Sequence, residues 1–234
     1  VTKGCFVTGT DTEVGKTFVS AALLQALAAS GLRCAGYKPV AAGTVWRDGR
    51  QVNEDVEALK AASNVDLADD EVCATLLHEP CAPHIAARLA GRVLSRQALL
   101  DGAHHLARRA DVVVVEGVGG FCVPLGDAGG ADELAADLGL PVVLVVGLRL
   151  GCLNHALLTA EVVRARGLPL AGWVGNRVDP GMAWADDNIA ALHSSLGGRF
   201  DAPCLGIMPW LEGGAAAAAA RHLDVTPLLR RWTP

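Results

Sequence analysis

Apolar residues along this chain fall into short unbroken runs, separated by stretches in which they return every three or four positions. The runs Gly4–Thr8, Arg33–Tyr37, Asp111–Val115, Val142–Val146, Leu170–Val174 and Cys204–Ile207 are β-branched in character and closed by glycine or proline, so each predicts a strand. Several, notably VVVVEG and VVLVVG, are apolar at every position instead of alternating, as expected of parallel strands covered by helices on both faces. In the stretches between, Leu23, Ala26 and Leu27 mark one helix face, while Leu157, Leu158, Glu161 and Val162 lie on turns of another beginning near Asn154. Further helices are predicted over Glu54–Ala62, Ser95–Arg109, Trp184–Leu196 and roughly the last ten residues. Ala215–Ala220 is low in complexity, but alanine is the best helix former, which predicts a short helix after Gly213-Gly214 in place of a linker. The fold class is α/β, a doubly wound, mostly parallel sheet with helices on both faces in one domain over residues 1–234.

Composition narrows the chemistry. With 234 residues and 51% apolar content the chain can bury a full core, and it leaves no room for a second catalytic domain. A formal net charge of −5 without any basic block argues against nucleic acid or anionic membrane as partners. The seven cysteines are scattered singly and never form C-x-x-C, so they read as small buried apolar residues in a reducing cytosol, not as disulfides or zinc ligands. The first apolar run is too short for a signal peptide, and Pro141–Val146 is far short of the ~20 residues that span a bilayer, so a cytoplasmic protein is expected. The histidines show no H-E-x-x-H or similar spacing; His84, His104 and His105 read as surface or capping residues, and the five tryptophans as packing residues.

Ligands of open α/β sheets gather at the carboxyl ends of the strands, which makes the residues just after each run the informative ones. After the first comes GTDTEVGKT (Gly9–Thr17), then a helix. This is a phosphate-binding loop of a variant kind, with five residues where the usual pattern has four between its glycines. Backbone N–H groups and the helix start hold phosphate oxygens, Lys16 reaches the β and γ phosphates, and the Thr17 hydroxyl can ligate Mg²⁺. After the second run comes YKPVAAGT. The chain has sixteen arginines and four lysines, so Lys38 stands out; a compact ammonium at a strand end suits contact with a transferring phosphoryl group, the alternative being a snorkelling surface lysine. After the third comes VVVVEGVGG, where Glu116 ends the strand as a Walker B acid does and implies Mg²⁺ between it and a triphosphate, and where Gly117, Gly119 and Gly120 permit close approach. Asp55, near a helix start, fits equally a second Mg²⁺ ligand or a cap shared with Asn53. The turn GLRLGCLNHA puts Asn154 near a helix cap, open either to a substrate carboxylate or to ordinary capping. Asn176 could read an adenine edge and Pro209–Glu212 could close over base and ribose, though neither signal is specific alone.

Taken in order, GTDTEVGKT, GYKPVAAGT, EPCAPH, VVVVEGVGG, LGCLNHALLTAE and LAGWVGNRV resemble the dethiobiotin synthetase family from about Gly4 to Glu212, and the extra loop residue is itself a feature of that family. The resemblance implies Mg²⁺- and ATP-dependent ring closure of 7,8-diaminononanoate with CO₂ (or bicarbonate) to dethiobiotin, ADP and phosphate, through a carbamate and a carbamic-phosphoric anhydride. It implies Mg²⁺ on Thr17, Asp55 and Glu116, and charge neutralisation in phosphoryl transfer by Lys16 and Lys38. It places the nucleotide against Thr12, Glu13, Val14, Gly15, Lys16, Thr17 and Phe18, against Asp55, Glu116, Gly117, Val118 and Gly119, and against Asn176, Arg177, Pro209, Trp210, Leu211 and Glu212. It places the substrate against Lys38, Ala42, Thr44, Pro80 and Gly119, with Gly151, Cys152, Leu153 and Asn154 of the opposite protomer of a homodimer binding its carboxylate. One departure stands out: the family commonly has a serine hydroxyl where this chain has Ala42, a loss that Thr44 or backbone would have to make good. Two rival readings are a cobyrinate amidotransferase, which needs a glutaminase domain, and a partition or cell-division ATPase, which has a signature lysine where this chain has Asp11.

Overall fold

The computed structural model describes residues 3–210 and 216–232. In chain order the elements are β1 (Gly4–Gly9), α1 (Lys16–Ala29), β2 (Cys34–Tyr37), β3 (Val40–Ala42), β4 (Val45–Arg47), β5 (Arg50–Val52), α2 (Glu54–Ala62) and α3 (Asp69–Val72). There follow β6 (Thr75–Leu77), α4 (Pro83–Leu89), α5 (Arg96–Ala107), β7 (Val112–Glu116), a 3₁₀ turn (Gly126–Ala128) and α6 (Ala131–Leu138). The chain continues through β8 (Val142–Gly147), α7 (Cys152–Ala165), β9 (Leu170–Asn176), α8 (Ala185–Phe200) and β10 (Cys204–Met208), then α9 (Ala216–Ala220) and α10 (Thr226–Trp232).

Six strands form one wholly parallel sheet in the order β10-β9-β8-β1-β7-β2. These are the six strands predicted from the apolar runs. Every residue of β1, β7, β8 and β9 is buried, which is why their sequences do not alternate: both faces of the sheet are covered. β1 lies in the interior of the sheet, between β7 and β8, so the loop that follows it emerges at the middle of the carboxyl edge. In the pairing of β1 with β7, Val7 stands opposite Glu116, and the Gly117 amide donates to the Val7 carbonyl (2.9 Å). That register sets the acid at the end of β7 beside the start of the loop.

Two small sheets lie outside the main one: β3 with β6, parallel, and the β4–β5 hairpin. A second apolar cluster, with Val40, Leu77, Leu99, Leu125 and Leu134 among its members, anchors β3, β6 and the segment after β7. Some expectations need correction. The helix after β8 starts at Cys152 with Gly151 in the cap position, so Asn154 belongs to its first turn. Trp46, Trp184 and Trp210 are exposed, leaving Trp173 as the fully buried tryptophan of the core. Among the cysteines Cys122 is exposed, and Cys81 and Cys204 are partly so. Among the described residues, no helix is long and apolar enough to cross a membrane.

Candidate active site

The loop between β1 and α1 is shaped by three tethers. The Thr10 amide donates to the Val145 carbonyl (2.9 Å), the Thr12 amide to Asp11 Oδ1 (2.8 Å), and Asn176 Nδ2 to the Val14 carbonyl (3.0 Å). Gly15 takes a left-handed backbone (φ 84°), and a Cβ there would lie 2.2 Å from Asn176 Nδ2, so both conformation and space require glycine. Glu13 is also left-handed (φ 59°), a strained geometry of the kind held at ligand-binding turns. Gly15 caps α1 without a side chain, leaving the first-turn amides to an external acceptor such as phosphate. Lys16 Nζ donates to the Asp11 carbonyl (3.0 Å).

Behind the loop, three segments far apart in sequence converge on one point. Thr17 Oγ1 lies 2.6 Å from Asp55 Oδ1 and 2.7 Å from Glu116 Oε1; its single proton can serve only one of them. Lys38 Nζ lies 2.5 Å from Glu116 Oε1 and 2.9 Å from Asp55 Oδ2, and 3.3 Å from the Gly117 carbonyl. Lys38 is only 3% exposed, which excludes the snorkelling reading, and Glu116 is 0% exposed. Asp55 is not the cap of its helix: Asn53 Oδ1 accepts from the Val56 amide (3.2 Å), freeing Asp55 to face Thr17 and Lys38.

Burial by itself pushes the Lys38 ammonium toward neutrality, but the charges of Glu116 and Asp55 and their hydrogen bonds outweigh it and hold its pKa above the usual lysine value. The same balance acts on Asp55: burial raises its pKa, while Lys38, the Thr17 hydroxyl and Lys16 bring it below the usual carboxylate value. Lys16 has less compensation. Burial, then the neighbouring Lys38 charge, lower its pKa to about 8 despite the nearby carboxylates.

These groups suit a magnesium ion. Glu116 Oε2 is buried and has no hydrogen-bond partner among the described residues, an orphan acceptor that a hard cation would satisfy. Among those residues no cluster of three His, Cys, Asp or Glu is present, but Mg²⁺ typically takes one or two carboxylates with substrate phosphates supplying further ligands.

The constellation lies in a cleft of about 710 Å³. Its lining combines Thr12, Glu13, Gly15, Lys16, Thr17, Lys38, Asp55 and Glu116 with the mostly apolar Ala42, Pro80, Cys81, Ala82, Pro83, Val118, Gly119 and Val123. Ala42 and Pro80 thus sit in the cleft as expected; Cys81, Ala82 and Pro83 belong to the EPCAPH motif but carried no expected role, and Val123 was not singled out from the sequence. Thr44 is not among the lining residues; its hydroxyl pairs with His78 Nδ1 (2.9 Å). Val14 is buried beneath the loop and Phe18 packs partly against the core. Arg177 pairs with Asp186 (2.7 Å), and Pro209 and Trp210 follow β10; Leu211 and Glu212 lie outside the described residues. Gly151, Cys152, Leu153 and Asn154 open α7 and do not line this cleft.

A parallel sheet, a glycine-lysine-threonine loop leaving its middle strand, and an acid at the end of the neighbouring strand define the class of P-loop nucleotide-binding α/β proteins. Solved structures agree on the fold: the Pyrococcus furiosus cell division ATPase MinD aligns over 100% of both chains with a TM-score of 0.55 at 15% identity, and a ParA family ATPase from Chlorobium tepidum over 97% of this chain and 94% of its own with a TM-score of 0.52 at 14% identity. Residues 3–217 match the family model described as an AAA domain. At the sequence level the chain is 56% identical to the ATP-dependent dethiobiotin synthetase BioD of Ralstonia nicotianae over 227 residues, 97% of each chain. The chain belongs to the dethiobiotin synthetase family.

Proposed function

We propose that this chain is a dethiobiotin synthase of biotin biosynthesis, an ATP-dependent ligase that closes 7,8-diaminononanoate and CO₂ into a cyclic urea. The observation that carries this reading is the convergence of the buried Lys38 and Glu116 with the partly exposed Asp55 and Thr17 behind a phosphate loop, in a cleft that is also lined by apolar residues. An aliphatic diamine offers its carbon chain to the apolar lining residues and its amines to the polar groups.

In the proposed sequence one substrate amine adds to CO₂, losing a proton to give a carbamate. A carbamate oxygen attacks the γ-phosphorus and ADP leaves. The second amine then attacks the carbamoyl carbon, phosphate departs, and a proton is lost as the urea ring closes. Lys16 and Lys38 carry the positive charge that offsets the negative charge gathering on the transferring phosphoryl group. Lys38 is fitted to this because its carboxylate partners keep it protonated although it is buried. Thr17, Asp55 and Glu116 are the residues that would hold Mg²⁺, which draws electron density from phosphoryl oxygens when bound. Asn176 donates one of its two amide N–H groups to the Val14 carbonyl, leaving its own carbonyl oxygen for an adenine amino group. In a homodimer the start of α7, which does not line its own cleft, would offer amides to the substrate carboxylate of the partner's site.

Purified protein should release ADP only when 7,8-diaminononanoate, bicarbonate and Mg-ATP are all present. Turnover driven instead by glutamine, DNA or liposomes, with none from the diamine, would sink the reading.

A further inference from the structure

The phosphate loop contains an acid in a place where it should harm the binding of a triphosphate. Asp11 lies between the glycines of the loop, and its own carbonyl accepts from Lys16 Nζ (3.0 Å). Its charge reaches the Lys16 ammonium, so an uncompensated Asp11 would repel phosphate and compete with it for the lysine. Glu13, the other acid of the loop, is exposed to water. Asp11 is also half-exposed at its side chain, but both of its carboxylate oxygens are engaged: Oδ1 accepts from the Thr12 amide (2.8 Å), and Oδ2 accepts from Arg149 Nη2 (2.6 Å).

Arg149 comes from the turn after β8, and that turn is locked to the loop at other points. Gly147 has no room for a Cβ beside Val14, whose Cγ1 would lie 2.8 Å away, and the Leu148 amide donates to the carbonyl of Asn176, the residue whose side chain holds Val14. Arg149 is therefore presented to Asp11 by a segment already fixed against the loop.

We propose that Arg149 is a positioning residue for nucleotide binding: it neutralises Asp11 and holds that side chain away from Lys16, so that the lysine and the loop amides meet phosphate without a competing carboxylate. Arg149 acts through Asp11 and not by touching the nucleotide. The inference rests on the reading of the loop as a nucleotide site but goes beyond the reaction assigned to it.

The test is a double-mutant cycle read by calorimetric titration of Mg-ADP at low and high salt. Wild-type binding establishes the nucleotide site itself; if wild type binds no Mg-ADP, the functional reading fails before this one is reached. R149Q should weaken binding roughly three- to fivefold, the upper end for a half-exposed ion pair, and less so at ~0.5 M salt, where the Debye length is only a few ångströms. D11N keeps the acceptor for the Thr12 amide and should bind at least as tightly as wild type; D11N/R149Q should return to within about twofold of wild type. The proposal is overturned if the double variant binds as weakly as R149Q, which would mean that Arg149 touches the nucleotide or supports the fold elsewhere, or if R149Q binds normally. Should R149Q melt far below the assay temperature, D11N alone decides: a more than fivefold loss of affinity would make Asp11 a helper and not a liability.

Discussion

Lys38→Gln removes the one cation between two carboxylates and should act on stability as well as on catalysis. Lys38 and Glu116 are 3% and 0% exposed and 2.5 Å apart, so solvent screens little of that pair, while Asp55, 2.9 Å from the ammonium, is 41% exposed at its side chain and adds less. Removing one partner of a buried pair leaves the other charge stranded, at a cost of about 3–5 kcal/mol. For a chain of this size that corresponds to a fall in Tm of about 6–20 °C. The sign with pH follows from linkage. In wild type, the raised Lys38 pKa gives stability fully present below the unfolded lysine value of 10.5, and the lowered Asp55 pKa gives stability present above the unfolded value of 3.8, so both act at pH 7. In the variant Asp55 loses the Lys38 charge and hydrogen bond and keeps only Lys16 as a nearby cation, so its pKa rises and the folded state prefers a proton. The deficit should therefore be largest near pH 8 and shrink toward pH 5. Differential scanning fluorimetry across pH 5–8, with and without Mg²⁺, reads this directly, and Mg²⁺ should restore part of the lost Tm. A deficit under ~1 kcal/mol at pH 7, or one that does not change with pH, would refute the account of Lys38 as the buried counter-ion of this site.

Lys38→Arg keeps the charge but replaces a compact ammonium with a planar fork in a space sized for the former, and kcat should fall by at least about a hundredfold; near-normal kcat would contradict the compact-ammonium argument. Gly15→Ala meets both a left-handed backbone and Asn176 Nδ2 at 2.2 Å, so it should lower stability by about 2–3 kcal/mol and raise the KM for ATP, measurable by thermal melts and initial rates. Ala42→Ser adds a hydroxyl to the cleft wall and should lower the KM for 7,8-diaminononanoate about fivefold, the worth of one neutral hydrogen bond, with the KM for ATP unchanged. Glu71 accepts from the Ala68 amide, which with Arg109 and His105 holds its pKa well below the usual 4.5, at about 2; Glu71→Ala should lower Tm by a constant amount above pH 5, with the gap closing as pH falls from 4.5 toward 2.

The six main strands were legible because a parallel sheet covered on both faces leaves unbroken apolar runs, and Lys16, Thr17, Lys38 and Glu116 were legible because each follows the end of a strand or its loop. Asp55 was not decidable from spacing, since the answer depends on Asn53 taking the cap and on α2 packing against α1. The pairs β3–β6 and β4–β5 escaped notice because three residues cannot display a period, and Val45–Arg47 is exposed at every position. Helix α6 left a signal that went unused: Ala131, Leu134, Ala135 and Leu138 recur at helical spacing before Gly139, which caps it with a left-handed backbone. The cleft wall of Cys81, Ala82, Pro83 and Val123 carries no chemical signature; only the second apolar cluster, which brings the segments before α4 and after β7 together, gives those residues a shared role.

The position of β1 in the sheet has a consequence for how the protein is made. Its two neighbours, β7 and β8, begin at Val112 and Val142, so the strand that launches the phosphate loop leaves the ribosome more than a hundred residues before either arrives. Throughout that interval the apolar β1 segment has no sheet to join, and the loop has neither Val145 nor Asn176 to shape it. The nucleotide pocket is consequently a late product of synthesis: no nascent chain that stops before β9 can bind nucleotide in the native manner, and until then the apolar β1 segment stays in a form that chaperones would recognise.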